Sequence, residues 1–218
     1  LIVGAGSGLS ASLARLCYSK GMKVVLAARD IEKLQDLKKE IGANTIKCDA
    51  TKIKSVANLF KKTDKIIGVP NLVIYNPSKS LGGSIVDLDP QKAFEAINIT
   101  SYGGFLVSQQ SAKRMLKKKR GSIFFTGATA SIKGFPNSSV FAMGKFGLRG
   151  LAQSLARELH PQNIHIGHFI IDGGIGHENY GSYKTIHPDE IAKIYLQFHN
   201  QDKSAWSWAV SYTHLTLP

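Results

Sequence analysis

The run Gly4-Ala5-Gly6-Ser7-Gly8-Leu9-Ser10 has the residue types and spacing to hold a phosphate ester. A GxGxxG pattern fails, because Leu9 stands where its third Gly would be. The pattern GxxxGxG fits Gly4 and Gly8, with Ser10 in the last place. Glycine lets the backbone approach a pyrophosphate, whose charge then meets the unpaired amides opening the next helix. A tight strand-to-helix turn with no ligand is the alternative. Further on, Ala27-Ala28-Arg29 closes the second apolar run. A dinucleotide with a free ribose 2′-hydroxyl calls for a carboxylate at that strand end. Ala28 occupies the place, and the Arg29 guanidinium beside it suits a 2′-phosphate through paired hydrogen bonds. Turn and Arg29 together point to NADP(H) ahead of NAD(H); an ordinary exposed arginine at a strand end is the plain reading.

The elements that must carry these residues alternate along the chain. Leu1–Val3 and Met22–Ala28 read as strands, the second continuously apolar after Lys23, as in a strand buried on both faces. Between them Ala11–Lys20 has Leu13, Leu16 and Cys17 at helical spacing. Asp30 can cap a second helix with Leu34, Leu37 and Ile41 on one stripe and Gly42 as its stop. Thr45–Lys47, Asn71–Tyr75, Ser122–Thr126 and Ile164–Ile171 supply further strands; Ser55–Lys62, Pro90–Lys119, Ser138–His160 and Pro188–His199 supply helices. Such alternation predicts an α/β fold: a single-domain, doubly wound parallel sheet of Rossmann type with helices on both faces. Trp206–Val210 can add an edge strand, which puts the domain at residues 1–210. The chain starts at Leu1 within a strand and without Met, so it reads as truncated there. The stretch 211–218 (SYTHLTLP) continues no pattern and reads as a tail of non-native origin.

Composition excludes several classes. With 43% hydrophobic residues in 218, the chain can bury a sizeable core and is not a disordered protein. Two lone cysteines, Cys17 and Cys48, make no disulfide framework and suit a reducing compartment, the cytoplasm or, with the N-terminus missing, an organelle reached by import. No apolar run reaches membrane-spanning length. The net charge of +13 gathers in Lys113–Arg120 and in Lys47, Lys52, Lys54, Lys61, Lys62 and Lys65. A nucleic acid could use such a surface. The aromatic residues do not interleave with the basic ones as a single-strand platform requires, and cations at a helix C-terminus complement its dipole. A solvated basic face is the favoured reading. Topology also places Lys113–Arg120 at the sheet edge away from any cofactor.

Taken in order, the motifs resemble the short-chain dehydrogenase/reductase family over Leu1–Val210. Gly4–Gly8 is similar to its TGxxxGxG turn, with Val3 for Thr. Cys48-Asp49-Ala50 resembles the segment that contacts adenine, Tyr75-Asn76-Pro77-Ser78 the NNAG segment with Asn76 kept, and Ile97-Asn98-Ile99 the segment of the catalytic Asn. The resemblance implies that Gly4, Gly6, Ser7, Gly8, Leu9, Arg29, Asp49, Ala50, Asn76, Lys145, Gly173 and Ile175 bind the cofactor. The family's Asn, Ser, Tyr and Lys move a proton while hydride passes to or from the nicotinamide. Here Asn98 and Lys145 remain, Phe141 stands in the YxxxK Tyr position and Ala128 in the Ser position, with Thr129 beside it as a substitute hydroxyl. Tyr and Lys four apart share one helical face. Tyr102 and His177 are candidates for the missing proton carrier. In the Pro-Gly segment after the sixth strand, Asp172 replaces Pro.

The resemblance thus implies an NADP(H)-dependent oxidoreductase with an atypical acid–base site, acting on a small carbonyl, alcohol or enoyl compound. The alternative is a catalytically degenerate NADP(H)-binding sensor or scaffold. It further implies a homo-oligomer, a dimer or tetramer, paired through the helix bearing Ala142, Phe146, Leu148, Leu151 and Leu155. Residues 176–186, with His177, Tyr180 and Tyr183, would form the substrate loop.

Overall fold

The computed structural model describes residues 1–177 and 185–212. Strands β1 (Ile2–Val3), β2 (Val25–Ala28), β3 (Asn44–Lys47), β4 (Leu72–Tyr75), β5 (Ser122–Thr126), β6 (His165–Ile171) and β9 (Ala209–Tyr212) form one sheet in the order β3-β2-β1-β4-β5-β6-β9. Every pairing in it is parallel. A second, two-stranded sheet joins β7 (Gly174–Ile175) to β8 (Thr185–Ile186). Helices α1 (Leu9–Ser19), α2 (Gln35–Ile41), α3 (Ile53–Ile67), α4 (Pro90–Ile97), α5 (Gly103–Lys118), α6 (Ser139–Leu159) and α7 (Pro188–His199) make the crossovers.

Strand alternation sends side chains to two separate cores. Val25, Ala27, Ile123 and Phe125 pack with residues of α3, α5 and α6, while Leu26, Ala28, Phe124 and Phe169 pack with residues of α1, α2 and α7. Both faces of the sheet are therefore covered, which is why these strands read as apolar runs. The order in which strands are added reverses between β1 and β4, and ligands in open α/β sheets bind in the crevice opened there.

Three local expectations change. The helix expected over Pro90–Lys119 is interrupted by a π turn at Asn98–Tyr102. Buried Tyr75 causes it: its hydroxyl donates to the Ile99 carbonyl, drawing that group out of the regular ladder. Gly103 follows because the Tyr75 hydroxyl occupies the space of a β-carbon. Next, the edge strand continues past 210: Ser211 and Tyr212 pair with Ile170 and Ile171, and Tyr212 packs on the second core. Residues 213–218 lie outside the described residues. Finally, Leu148 of α6 is fully buried and Leu151 and Leu155 pack against the core, so the exposed apolar side chains of α6 are Met143 and Phe146.

Candidate active site

The switch point opens a cleft of about 620 Å³ lined by Gly4, Arg29, Asp49, Ala50 and Asn76 of the expected set, together with Asp30, Lys33, Pro77, Ser78 and Ile99. Gly4 has φ +81°, and a β-carbon on it would lie 2.6 Å from the Pro77 ring, so two constraints fix it as glycine. Gly6 and Gly8 differ. A β-carbon on either meets no atom within 4 Å, and neither has a left-handed φ. The protein's own packing does not require glycine at these positions. Ser7 is exposed beside them, and the Gly8 N-cap supplies no side-chain hydrogen bond to α1. The Leu9 side chain is buried in the core, leaving only its backbone to face a ligand.

Ser10 proves to be a connector. Its hydroxyl donates to the Gly4 carbonyl at 3.2 Å and accepts from Asn76 Nδ2 at 2.8 Å, while the Asn76 amide donates to Val3 at 3.0 Å. The hydroxyl that replaces a glycine thereby ties the turn to β4. Serine's habit of bonding nearby backbone was the available signal.

At the end of β2, Arg29 makes no ion pair among the described residues, and Lys33 lines the same cleft. Asp30 accepts from the Glu32 amide at 3.0 Å and so opens a 3₁₀ turn, Glu32–Leu34, ahead of α2. Lys33 was overlooked in the sequence; its place four residues after Arg29 in that helical lead-in was the signal. Burial pushes the Asp49 carboxyl up, but hydrogen bonds from the Thr51 hydroxyl (2.7 Å) and amide (3.0 Å) outweigh it and hold the group below its ordinary value.

Asn98 opens the π turn at the end of α4. It lines a neighbouring crevice with Arg29, Lys52, Lys79 and Glu95, while buried Thr100 faces Gly144, next to Lys145. The Thr100 hydroxyl accepts from the Lys79 amide at 3.2 Å.

Lys145 is almost fully buried and donates from Nζ to the Thr126 carbonyl at 2.8 Å. Burial lowers its pKa to about 8. Phe141, one turn earlier, puts its ring 5.7 Å from that ammonium, within cation–π range. Ala128 carries no hydroxyl, and its amide donates to Ser131 Oγ at 3.1 Å. Thr129 is half-buried and donates its hydroxyl proton to Asp172. Gly173 has φ +149°, a glycine conformation, and Ile175 sits in β7 with its side chain partly exposed. His177 is exposed and hydrogen-bonds His187 at 3.0 Å. Tyr102 is exposed and stacks on Phe105. Tyr180 and Tyr183 lie outside the described residues.

Below this layer His168 is buried, and neither of its ring nitrogens has a partner among the described residues. Burial first, then the charges of Arg149 and Lys145, lower its pKa to about 3. Both cysteines are buried, and burial raises their thiol pKa values. They are inert packing residues at neutral pH. The basic end of α5 is partly spent on structure, since Arg114 pairs with Asp64 at 2.8 Å. Among the described residues no helix is long and apolar enough to cross a membrane.

These features can be set beside known proteins. A short-chain dehydrogenase from Rhodopseudomonas palustris superimposes with a TM-score of 0.87 at 32% identity, covering 98% of this chain and 96% of that one. A metagenomic short-chain oxidoreductase solved with NADP superimposes at 0.84 with 26% identity, covering 97% and 95%. An uncharacterised oxidoreductase of Staphylococcus aureus is 27% identical over 213 residues, 93% of this chain and 91% of that protein. A Bos taurus 3-oxoacyl-[acyl-carrier-protein] reductase is 25% identical over 167 residues, 76% and 70% of the two chains. The short chain dehydrogenase family model matches residues 1–175, and with the glycine turn, the switch-point cleft and the buried lysine in place, the chain belongs to the short-chain dehydrogenase family of oxidoreductases.

Proposed function

We propose that the protein is an NADP(H)-dependent oxidoreductase whose proton-transfer group is not the family's tyrosine. The observation that carries the cofactor is the pair Gly6 and Gly8: glycines that no atom of the protein and no strained φ demand, in front of an α1 N-terminus without a side-chain cap. A pyrophosphate would use that space and those amides. Arg29 and Lys33, in the same cleft, would bind a 2′-phosphate and so favour NADP(H) over NAD(H). Asp49 and Ala50 would meet the adenine, Asn76 would hold the turn, and Lys145 with the backbone of Gly173 and Ile175 would bound the nicotinamide ribose. Bound there, the nicotinamide supplies or takes a hydride; the chain's own residues hold it and move the proton.

A calorimetric titration with NADPH tests this. Gly8→Val should lower affinity at least tenfold while leaving the thermal midpoint within about 2 °C of wild type, since a β-carbon there meets no protein atom within 4 Å. Equal affinity in the two proteins would refute the assignment.

One observation favours a second reading, a cofactor-binding sensor or scaffold: positions 128 and 141 hold Ala and Phe. Phe141→Tyr separates the two. A gain in carbonyl reduction marks a decayed site, and loss of an existing activity marks a repurposed one. Exposed Phe105 on α5 and Met143 and Phe146 on α6 support pairing of two copies through these helices.

A further inference from the structure

Resting on the proposed NADP(H) site, we infer that Thr129 and Asp172 form the proton-accepting pair of the reaction and that the substrate presents an alcohol hydroxyl to Thr129. The two residues stand just beyond the carboxyl ends of adjacent parallel strands, β5 and β6, where Thr126 pairs with Phe169 and the Thr126 carbonyl holds Lys145. Both are half-buried, so the pair is walled by protein yet reachable.

The hydrogen-bond inventory decides which partner fits. A threonine hydroxyl has one proton and two lone pairs. Thr129 commits its proton to Asp172, leaving Oγ1 an acceptor. In that state it cannot polarise a carbonyl oxygen by donation. It can accept from an alcohol O–H. Ala128 and Phe141, the positions where the family resemblance expects hydroxyls, have none to compete.

The carbinol C–H bond breaks, and its electron pair leaves as hydride to an oxidised nicotinamide dinucleotide. The substrate O–H proton passes to Thr129 Oγ1 as the Thr129 proton passes to Asp172, and the C–O bond becomes C=O. Asp172, partly exposed, then releases its proton to water. Thr129 would touch the substrate; Asp172 acts through Thr129 as its positioning partner and proton sink. In reduction the same path runs backwards.

The test uses the whole protein with NADP⁺ and trifluoroethanol, a strong hydroxyl donor that resists oxidation. Calorimetry should show trifluoroethanol binding to the wild-type protein with NADP⁺ present, retained in Thr129→Ser and weakened about tenfold in Thr129→Val. With a panel of secondary alcohols, Asp172→Ala should lower kcat by 10²–10⁴-fold, and added formate should restore part of it. A merely structural role for Asp172 would show no formate rescue. Unchanged trifluoroethanol affinity in Thr129→Val, absence of formate rescue, or no alcohol binding or oxidation by a wild-type protein that holds NADP⁺ would each overturn the inference and leave the cofactor site standing. Failure to bind NADP⁺ at all would overturn the proposed function itself.

Discussion

Replacing Lys145 with Met separates the cost of the buried charge from its use. The side chain is 3% exposed, and burial lowers its pKa from 10.5 to about 8. At 1.36 kcal/mol per unit, holding the charge in the fold costs about 3 kcal/mol at pH 7. The unfolded chain keeps its proton to higher pH than the folded one, so between pH 8 and 10.5 unfolding takes up a proton. Wild-type stability must therefore rise with pH across that window. By pH 9.5 the remaining cost is about 1 kcal/mol, a change of about 2 kcal/mol from pH 7. Methionine fills nearly the same volume with no charge but leaves the Thr126 carbonyl without the Lys145 donor, a loss of about 1–3 kcal/mol that does not depend on pH. Urea unfolding of both proteins at pH 7, 8 and 9.5 isolates the effect in the difference between them, since all other titrations cancel. The wild type should gain about 2 kcal/mol on Lys145→Met from pH 7 to 9.5. A difference that stays constant with pH would refute the buried-cation account.

Other perturbations follow from the same geometry. Arg29→Ala should weaken NADPH at least tenfold more than NADH, read by titration, and equal losses would contradict the 2′-phosphate role. His168 carries a folded-state pKa near 3 against an ordinary 6.5, so the unfolded chain binds the extra proton and stability falls as pH drops from 6.5 toward 3. The loss reaches about 5 kcal/mol, and His168→Leu should shift acid unfolding, followed by circular dichroism, to lower pH. Tyr75→Phe removes the hydroxyl that holds the Ile99 carbonyl and should cost about 1–3 kcal/mol in urea unfolding.

The alternation of strands and helices was legible because buried parallel strands must be apolar and their crossover helices amphipathic. The glycine turn was legible for a related reason: Gly4 needs both a left-handed φ and room for Pro77. Side-chain direction was not. Asn98 lines a surface crevice and Thr100 is buried against Gly144, two residues apart on one apparent helix, with the Tyr75–Ile99 hydrogen bond at the π turn between them. Likewise Thr129 as a spare hydroxyl was visible, but its proton's destination depends on Asp172, 43 residues away. Ser10 looked like a tolerated substitution because its two hydrogen bonds join Gly4 to Asn76, 66 residues on in the chain from Ser10. Ser211 and Tyr212 belong to the sheet through pairing with β6, a long-range contact that no local periodicity announces.

The most direct test of the account is a fluorescence titration of the purified protein with NADPH and, separately, NADH. Micromolar binding of NADPH with at least tenfold weaker binding of NADH is the result predicted from the open glycine turn and the cleft cations Arg29 and Lys33. Binding of neither nucleotide would contradict it.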